Sequence, residues 1–405
     1  MATTAEYLTQ LQTDKTTLVT NLVAKGVDAT NDETFTTLVP KVADISTGGS
    51  TEPIFTGHYD TEGLKQIGWS DEEIDYYQQY WVQWDSENDY IFKLTSDELL
   101  GNDTSTTRFI PKNTTKKSFR SYNSLLAIPL IDFSNITSFN SIFSACMSLI
   151  AIPLINTSKG TNFNSTFSGC YNLIKIPLID TSKGTSFNST FSSCHNLKTI
   201  PLLDTSNGTN FQSMFSGCYS LNGIPLIDTS KGTSFNSTFS SCKSLKKVPL
   251  LNTSNAKNMS SMFDGCVILE EIPQFNTSKV QNFQSIFWSC PSLKTIPKMD
   301  FSSATNILSF CSSASLTDFG GLENLGQAYS TTQSANYSYY KLDLSYCTAL
   351  TEKSLINVLN NLYDIKTKGC KPQQVVLGST NLAKLVSEEG QQALQTATER
   401  GWNIS

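Results

Sequence analysis

Apolar positions repeat every 24 residues between Leu125 and about Asp300, as the series Leu125, Leu149, Leu173, Leu197, Leu221, Leu245, Leu269 and Leu293 makes plain. Prolines from Pro129 to Pro297 and cysteines from Cys146 to Cys290 keep the same interval. The unit reads L-x-x-I-P-L-h-D/N-T-S, then a polar run, then F-x-x-x-F-x-x-C, where h is apolar. A fixed period of this size predicts a solenoid, because one unit cannot bury its own apolar face and stacking buries all of them.

Numbering each unit from its leading leucine, positions 1, 4 and 6 match the strand-bearing part of a leucine-rich repeat. Strand alternation sends positions 4 and 6 inward together. The two phenylalanines, as in Phe163 and Phe167, share a face if their arm is a helical turn, with the cysteine on the same side. The expected coil has a strand on one side, a turn or short helix on the other, and Leu, Ile, Phe and Cys between. Proline at position 5 forfeits a ladder hydrogen bond, so the strands should be short. Alternation also puts position 7 outside: Ile131, Ile155, Ile179, Leu203, Ile227, Leu251, Phe275 and Met299. A monomer rarely leaves such a strip bare. Either the proline tucks position 7 back into the core, or the strip is an interface, with Lys175 and Lys247 among the varied residues of position 3 beside it.

Outside the repeat the pattern changes. Leu8, Leu11, Leu18 and Leu22 have a/d spacing broken by Lys15, a stripe too short to be stable without a partner or a symmetric assembly. Gly26 ends it, and Thr30 to Glu33 offers a capping box for a second short helix. Residues 46–52 read as a flexible linker. Ser70-Asp71-Glu72-Glu73 is another capping box. Tyr76, Tyr77, Tyr80, Trp81, Trp84, Tyr90 and Phe92 follow, a cluster suited to covering the end of a solenoid or to stacking sugars. After Asp300 the period breaks. Strands at Leu342–Leu344, Val375–Leu377 and Trp402–Ile404 alternate with helices after Thr351 and over 387–400, the pattern of a C-terminal cap.

The repeat resembles the irregular leucine-rich repeats of the BspA type, close to those of Mycoplasma-type surface lipoproteins. The residues that carry the likeness are C-x-x-L-x-x-I-x-L, as in Cys170, Leu173, Ile176 and Leu178, with the closing F-x-x-C. The resemblance covers about half the chain and implies adhesion and surface recognition with no fixed ligand. The first 45 or so residues are similar to the leading segment of tail, baseplate and fibre proteins in phages and prophages of gut bacteria. That likeness implies attachment to a virion through other virion proteins, with Leu8, Leu11, Leu18 and Leu22 setting attachment or oligomerisation.

Composition narrows the functions. A net charge of −6 with no basic run argues against a nucleic-acid partner. The first 26 residues lack a positive start and an apolar core, so no signal peptide is expected. No apolar run approaches the roughly 18 residues of a membrane helix, so no membrane insertion is expected. Seven of ten cysteines are one repeat position and should be free buried thiols. No C-x-x-C occurs, Asp85, Glu87 and Asp89 lack the rest of a calcium loop, and no metal or other cofactor is expected. His58 and His195 pair with no nucleophile motif, and the interchange of Asp132, Asp180, Asp204 and Asp228 with Asn156, Asn252 and Asn276 fits turn capping rather than acid catalysis. No catalytic residue is assigned.

The expected fold is α/β: an irregular leucine-rich-repeat solenoid of 24-residue units with a short helical N-terminal segment and α/β caps. Its parts are residues 1–46 for attachment, 47–120 for linker and cap, 121–320 for the solenoid and 321–405 for the C-terminal cap. The function expected is that of a non-enzymatic virion protein, assembled in the host cytoplasm, homo-oligomeric with a trimer among the options, that recognises a host-surface glycan or protein. The alternative is an adhesin on a bacterial cell surface.

Overall fold

A computed structural model describes residues 58–59, 61–66, 68–78, 91–92, 105–110, 112 and 114–405. The chain separates into two compact units, residues 1–58 with 79–90, and residues 59–78 with 91–405. The first lies outside the described residues except for His58. The expected stripe of Leu8, Leu11, Leu18 and Leu22 falls there, as do Tyr80, Trp81, Trp84 and Tyr90.

Before the repeats come β1 (His58–Tyr59), α1 (Thr61–Gln66), α2 (Asp71–Gln78) and β2 (Ile91–Phe92), all but His58 belonging to the second unit. The expected capping box opens α2: the Ser70 N–H donates to Glu73 Oε2 at 2.8 Å and the Glu73 N–H to Ser70 Oγ at 3.3 Å.

Each repeat is one coil, and successive coils are tied along the phenylalanine arm. The N–H groups of Phe139, Ser141, Phe143 and Ala145 donate to the carbonyls of Asn162, Asn164, Thr166 and Ser168 one unit on, at 2.7 to 2.9 Å. The same four bonds recur from coil to coil as far as Gly265 to Trp288. Parallel single-residue bridges run through Ser138, Asn162, Ser186, Asn210, Ser234 and Asn258. The arm is not the helical turn that the Phe spacing suggested. Ser165, Ser189 and Ser213 sit at φ of 52°, 56° and 51°, and position 21 is left-handed too. A left-handed residue every fourth position replaces the α-helical ladder by i to i+3 turns, such as Thr166 N–H to Phe163 O. Both phenylalanine columns stack through the core. Phe143, Phe167, Phe191 and Phe215 follow at 5.4, 5.6 and 5.7 Å between nearly parallel rings. Beside them each thiol donates to a carbonyl one coil back, as Cys170 does to Phe143 O at 3.0 Å. All ten cysteines are buried and free.

The proline arm departs from strand geometry, and with it the expected register. Position 7 is core: Ile131, Ile155, Ile179, Leu203, Ile227, Leu251, Phe275 and Met299 are buried. Position 6, expected inside, is outside: Leu130, Leu154, Leu202 and Leu250 are 52, 54, 45 and 40% exposed. Burial thus falls on positions 1, 4 and 7, a period of three. That is the period of polyproline II, whose φ proline already holds. Where strands do form, proline interrupts them. β3 (Thr295–Ile296) and β4 (Met299–Asp300) flank Pro297 and pair in parallel with β5 (Asp318–Phe319) and β6 (Leu322–Glu323).

The stack begins earlier than the period does. Phe119 and Tyr122 occupy the second-Phe and Cys places of a degenerate coil, and the Phe119 ring stacks on Phe143 at 5.8 Å. At the other end β7 (Leu342–Asp343), β8 (Gln373–Val376) and β9 (Trp402–Ile404) form a parallel sheet in that order. Between them come α3 (Glu352–Asn360), a short α4 (Gly378–Leu382) that the sequence did not suggest, and α5 (Glu388–Glu399). Thr351 caps α3 as expected, its hydroxyl accepting from Ser354 N–H.

Candidate interaction surface

Position 6 turned outward makes a strip of Leu130, Leu154, Leu178, Leu202, Leu226 and Leu250, one per coil, each preceded by a proline. Position 2 keeps some coil-to-coil backbone bonds, such as Ile174 N–H to Ile150 O, but proline at position 5 donates none. Among the described residues no hydrogen bond reaches the carbonyls of Ile200, Ile224 and Val248 or the N–H groups of Leu202, Leu226 and Leu250. The strip therefore combines apolar area with unused donors and acceptors at regular spacing.

The first two rungs show how such a face is used. Helix α2 lies across them. The Tyr77 hydroxyl donates to Ile128 O at 2.8 Å, the Tyr76 hydroxyl donates to Ile152 O at 2.9 Å, and the Leu130 N–H donates to Glu73 Oε1 at 3.0 Å. Burial pushes the Glu73 carboxyl up, but hydrogen bonds from Lys112, from the N–H groups of Ser70 and Leu130, and from the Ser70 hydroxyl outweigh it and hold it below its usual range. Trp69, buried behind α2, donates from Nε1 to Ile110 O at 2.8 Å. A cleft of about 380 Å³ remains between α2 and the rungs, lined by Glu72, Tyr76, Leu130, Pro153 and Leu154 among others.

A second ladder, exposed at its tyrosines and half-buried at its histidine, runs at position 23. Tyr171, His195 and Tyr219 stack at 4.5 and 4.3 Å with nearly parallel rings, and Lys243 Nζ lies 4.1 Å from the Tyr219 centroid. Partial burial, and then the charge of Lys243, lower the His195 pKa. The ring faces are occupied by one another, so the stack offers mainly edges and hydroxyls.

Of the residues singled out in the sequence, the eight of position 7 are not at the surface. Lys247 is, paired with Glu271 at 2.6 Å. Lys175 is half-buried, and burial lowers its pKa. The Asp and Asn of position 8 cap their own turns, as in Ser206 N–H to Asp204 Oδ1 at 3.0 Å. Among the described residues no group of three or more His, Cys, Asp or Glu is placed to hold a metal ion, and no helix is long and apolar enough to cross a membrane.

The repeats match a family pattern described as Mycoplasma protein of unknown function, DUF285, over residues 113–224, 137–248 and 222–319. Together these cover just over half of the chain. The chain belongs to this family. Its DUF285 region is a repeat stack of leucine-rich type, ending within a few residues of β5. No curated protein matches the chain. Among solved structures, the plant peptide hormone receptor RGFR1 in complex with RGF2 is similar at 11% identity over 74% of this chain, with a TM-score of 0.19. The chain spans 58% of that receptor's length.

Proposed function

We propose that this DUF285 protein is a non-enzymatic recognition module whose proline–leucine face binds a host cell surface. On this reading residues 1–46 join it, as a homo-oligomer, to other proteins of a phage tail, baseplate or fibre. The observation that carries the recognition role is the leucine strip, exposed at Leu130, Leu154, Leu202 and Leu250 and half-buried at Leu178 and Leu226, where a monomer would be expected to cover it. The resemblance of the N-terminal segment to phage proteins supports the virion placement. The family description, which names a Mycoplasma protein, supports a second reading: the same face used by an adhesin on a bacterial cell.

Two measurements test this. Full-length protein carrying Leu202→Asp with Leu250→Asp should melt close to the wild-type temperature and bind cells at least tenfold more weakly. Unchanged binding would move the receptor contact off this face. Antibody against the chain should decorate phage particles, and removal of residues 1–45 should abolish incorporation. Decoration of bacterial envelopes instead would favour the adhesin.

A further inference from the structure

Resting on that reading of the face as a recognition surface, we propose that its middle rungs take an acidic, tyrosine-bearing helical segment of another protein, in the manner of α2. The geometry is already present in the molecule. On the first two rungs α2 supplies phenol hydroxyls to the position-4 carbonyls of Ile128 and Ile152 and a carboxylate to the position-6 N–H of Leu130. The later rungs repeat the same chain sequence, I-P-L with Val248 replacing Ile in the last, at the same 24-residue interval. On Ile200–Leu202, Ile224–Leu226 and Val248–Leu250 the corresponding carbonyls and N–H groups have no hydrogen-bond partner in the described protein.

Three features set the chemistry of the occupant. Each rung presents one acceptor and one donor two residues apart, so the partner must bring both a donor and an acceptor. Phenols and carboxylates are the pair that α2 uses, and an aromatic ring suits the Pro and Leu surface between them. Charge agrees: Lys198 and Lys246 are exposed on the N-terminal border of these rungs, as Lys112 stands beside Glu73 at 2.6 Å, whereas Lys247 is already paired with Glu271. On the opposite border Asp204 and Asp228 are engaged with the N–H groups of Ser206 and Ser230. The interface is thus a continuation of an intramolecular one already seated on the same face.

The test uses the full-length protein and, as probe, a labelled peptide of residues 70–78, SDEEIDYYQ, read by fluorescence anisotropy. Saturable binding is expected. It should weaken about tenfold when both peptide tyrosines are phenylalanine, from loss of two hydroxyl donors. It should fall similarly in Leu202→Asp with Leu250→Asp, and in the milder Leu202→Ser with Leu250→Ser should the first variant lose its fold. Absence of saturable binding, or binding indifferent to both the tyrosine and the leucine changes, overturns the proposal. So does binding of a cello-oligosaccharide in place of the peptide, which would make the face a glycan site. The outcome separates from that of the recognition reading. Loss of cell binding in the leucine variants without any peptide binding would leave the recognition role standing and remove this class of partner. Peptide binding without cell binding would do the reverse.

Discussion

Leu202 and Leu203 are adjacent and chemically identical, yet one is 45% exposed and the other 2%. The pair therefore measures the register of the proline arm directly. Leu203→Asp should prevent folding, because it buries an unpaired carboxylate. Leu202→Asp should shift the melting temperature by only a few degrees. Equal effects would contradict the period of three. Stacked phenylalanines provide a second residue-scale check. Phe191 is fully buried between Phe167 and Phe215, so Phe191→Ala should cost about 3–5 kcal/mol. A Cβ on Gly208 would come within 2.7 Å of Phe211 Cζ, so a side chain at position 12 requires the ring to shift, as it must in the units where Ile136 and Val280 stand beside Phe139 and Phe283. His195 belongs to this scale too. Its pKa is depressed, so the neutral form favours the folded state. Stability linked to it is complete above the ordinary value of 6.5 and is lost as pH falls through the lowered one. A proton-NMR titration of the imidazole should place its midpoint below 6.5, and Lys243→Ala should move that midpoint upward.

At the scale of the element, α2 and the rungs it crosses are joined by few, specific bonds. Tyr77→Phe leaves the buried Ile128 carbonyl without its hydroxyl partner and should cost about 1–3 kcal/mol. Glu73, with its carboxyl held below the ordinary 4.5, contributes most above that pH, and its contribution is lost as pH falls through the lowered value. Amide-exchange protection in α2 should therefore fall on acidification sooner than protection in α5, and Glu73→Gln should remove the difference. The phenylalanine arm depends on left-handed serines in the same specific way. Ser213→Val places a β-branched residue at φ of 51° and should destabilise by about 1–2 kcal/mol, whereas Ser213→Gly should be tolerated. Much of this level was legible beforehand. The capping boxes of α2 and α3, the cysteine column and the order of the C-terminal elements all follow local rules. Two things were missed for physical reasons. Phenylalanines four apart look helical, and only the repeated serine between them hinted at a left-handed turn. Leucine after proline looks inward-facing by strand alternation, which proline itself cancels. A signal for the true register was present: position 6 becomes Gln274 and Lys298 in the last units, while position 7 stays apolar throughout.

Each coil bonds only to the coils on either side, so stability should be close to a sum over coils and interfaces. Deletion of residues 173–196 tests this. The cut joins Asn172 to Leu197 and keeps the period, so Ser165 N–H can meet Gln212 O in place of Asn188 O. Tyr171 then follows directly onto Tyr219, which preserves an aromatic contact at position 23. One coil's burial is lost, namely Leu173, Ile176, Ile179, Phe187, Phe191 and Cys194. The shortened protein should fold, melt in a single transition and do so at a lower temperature. Its thiols should report the same packing. Burial pushes Cys218 up to about 12, and it should stay unlabelled until the protein unfolds. Deletion of residues 173–184 removes half a coil instead and joins Asn172 to Thr185. That puts a polar residue where the core needs leucine and sets every later ladder donor out of register, so this variant should not fold. If the two deletions proved equally stable by circular dichroism, the stack would not be held by coil-to-coil register.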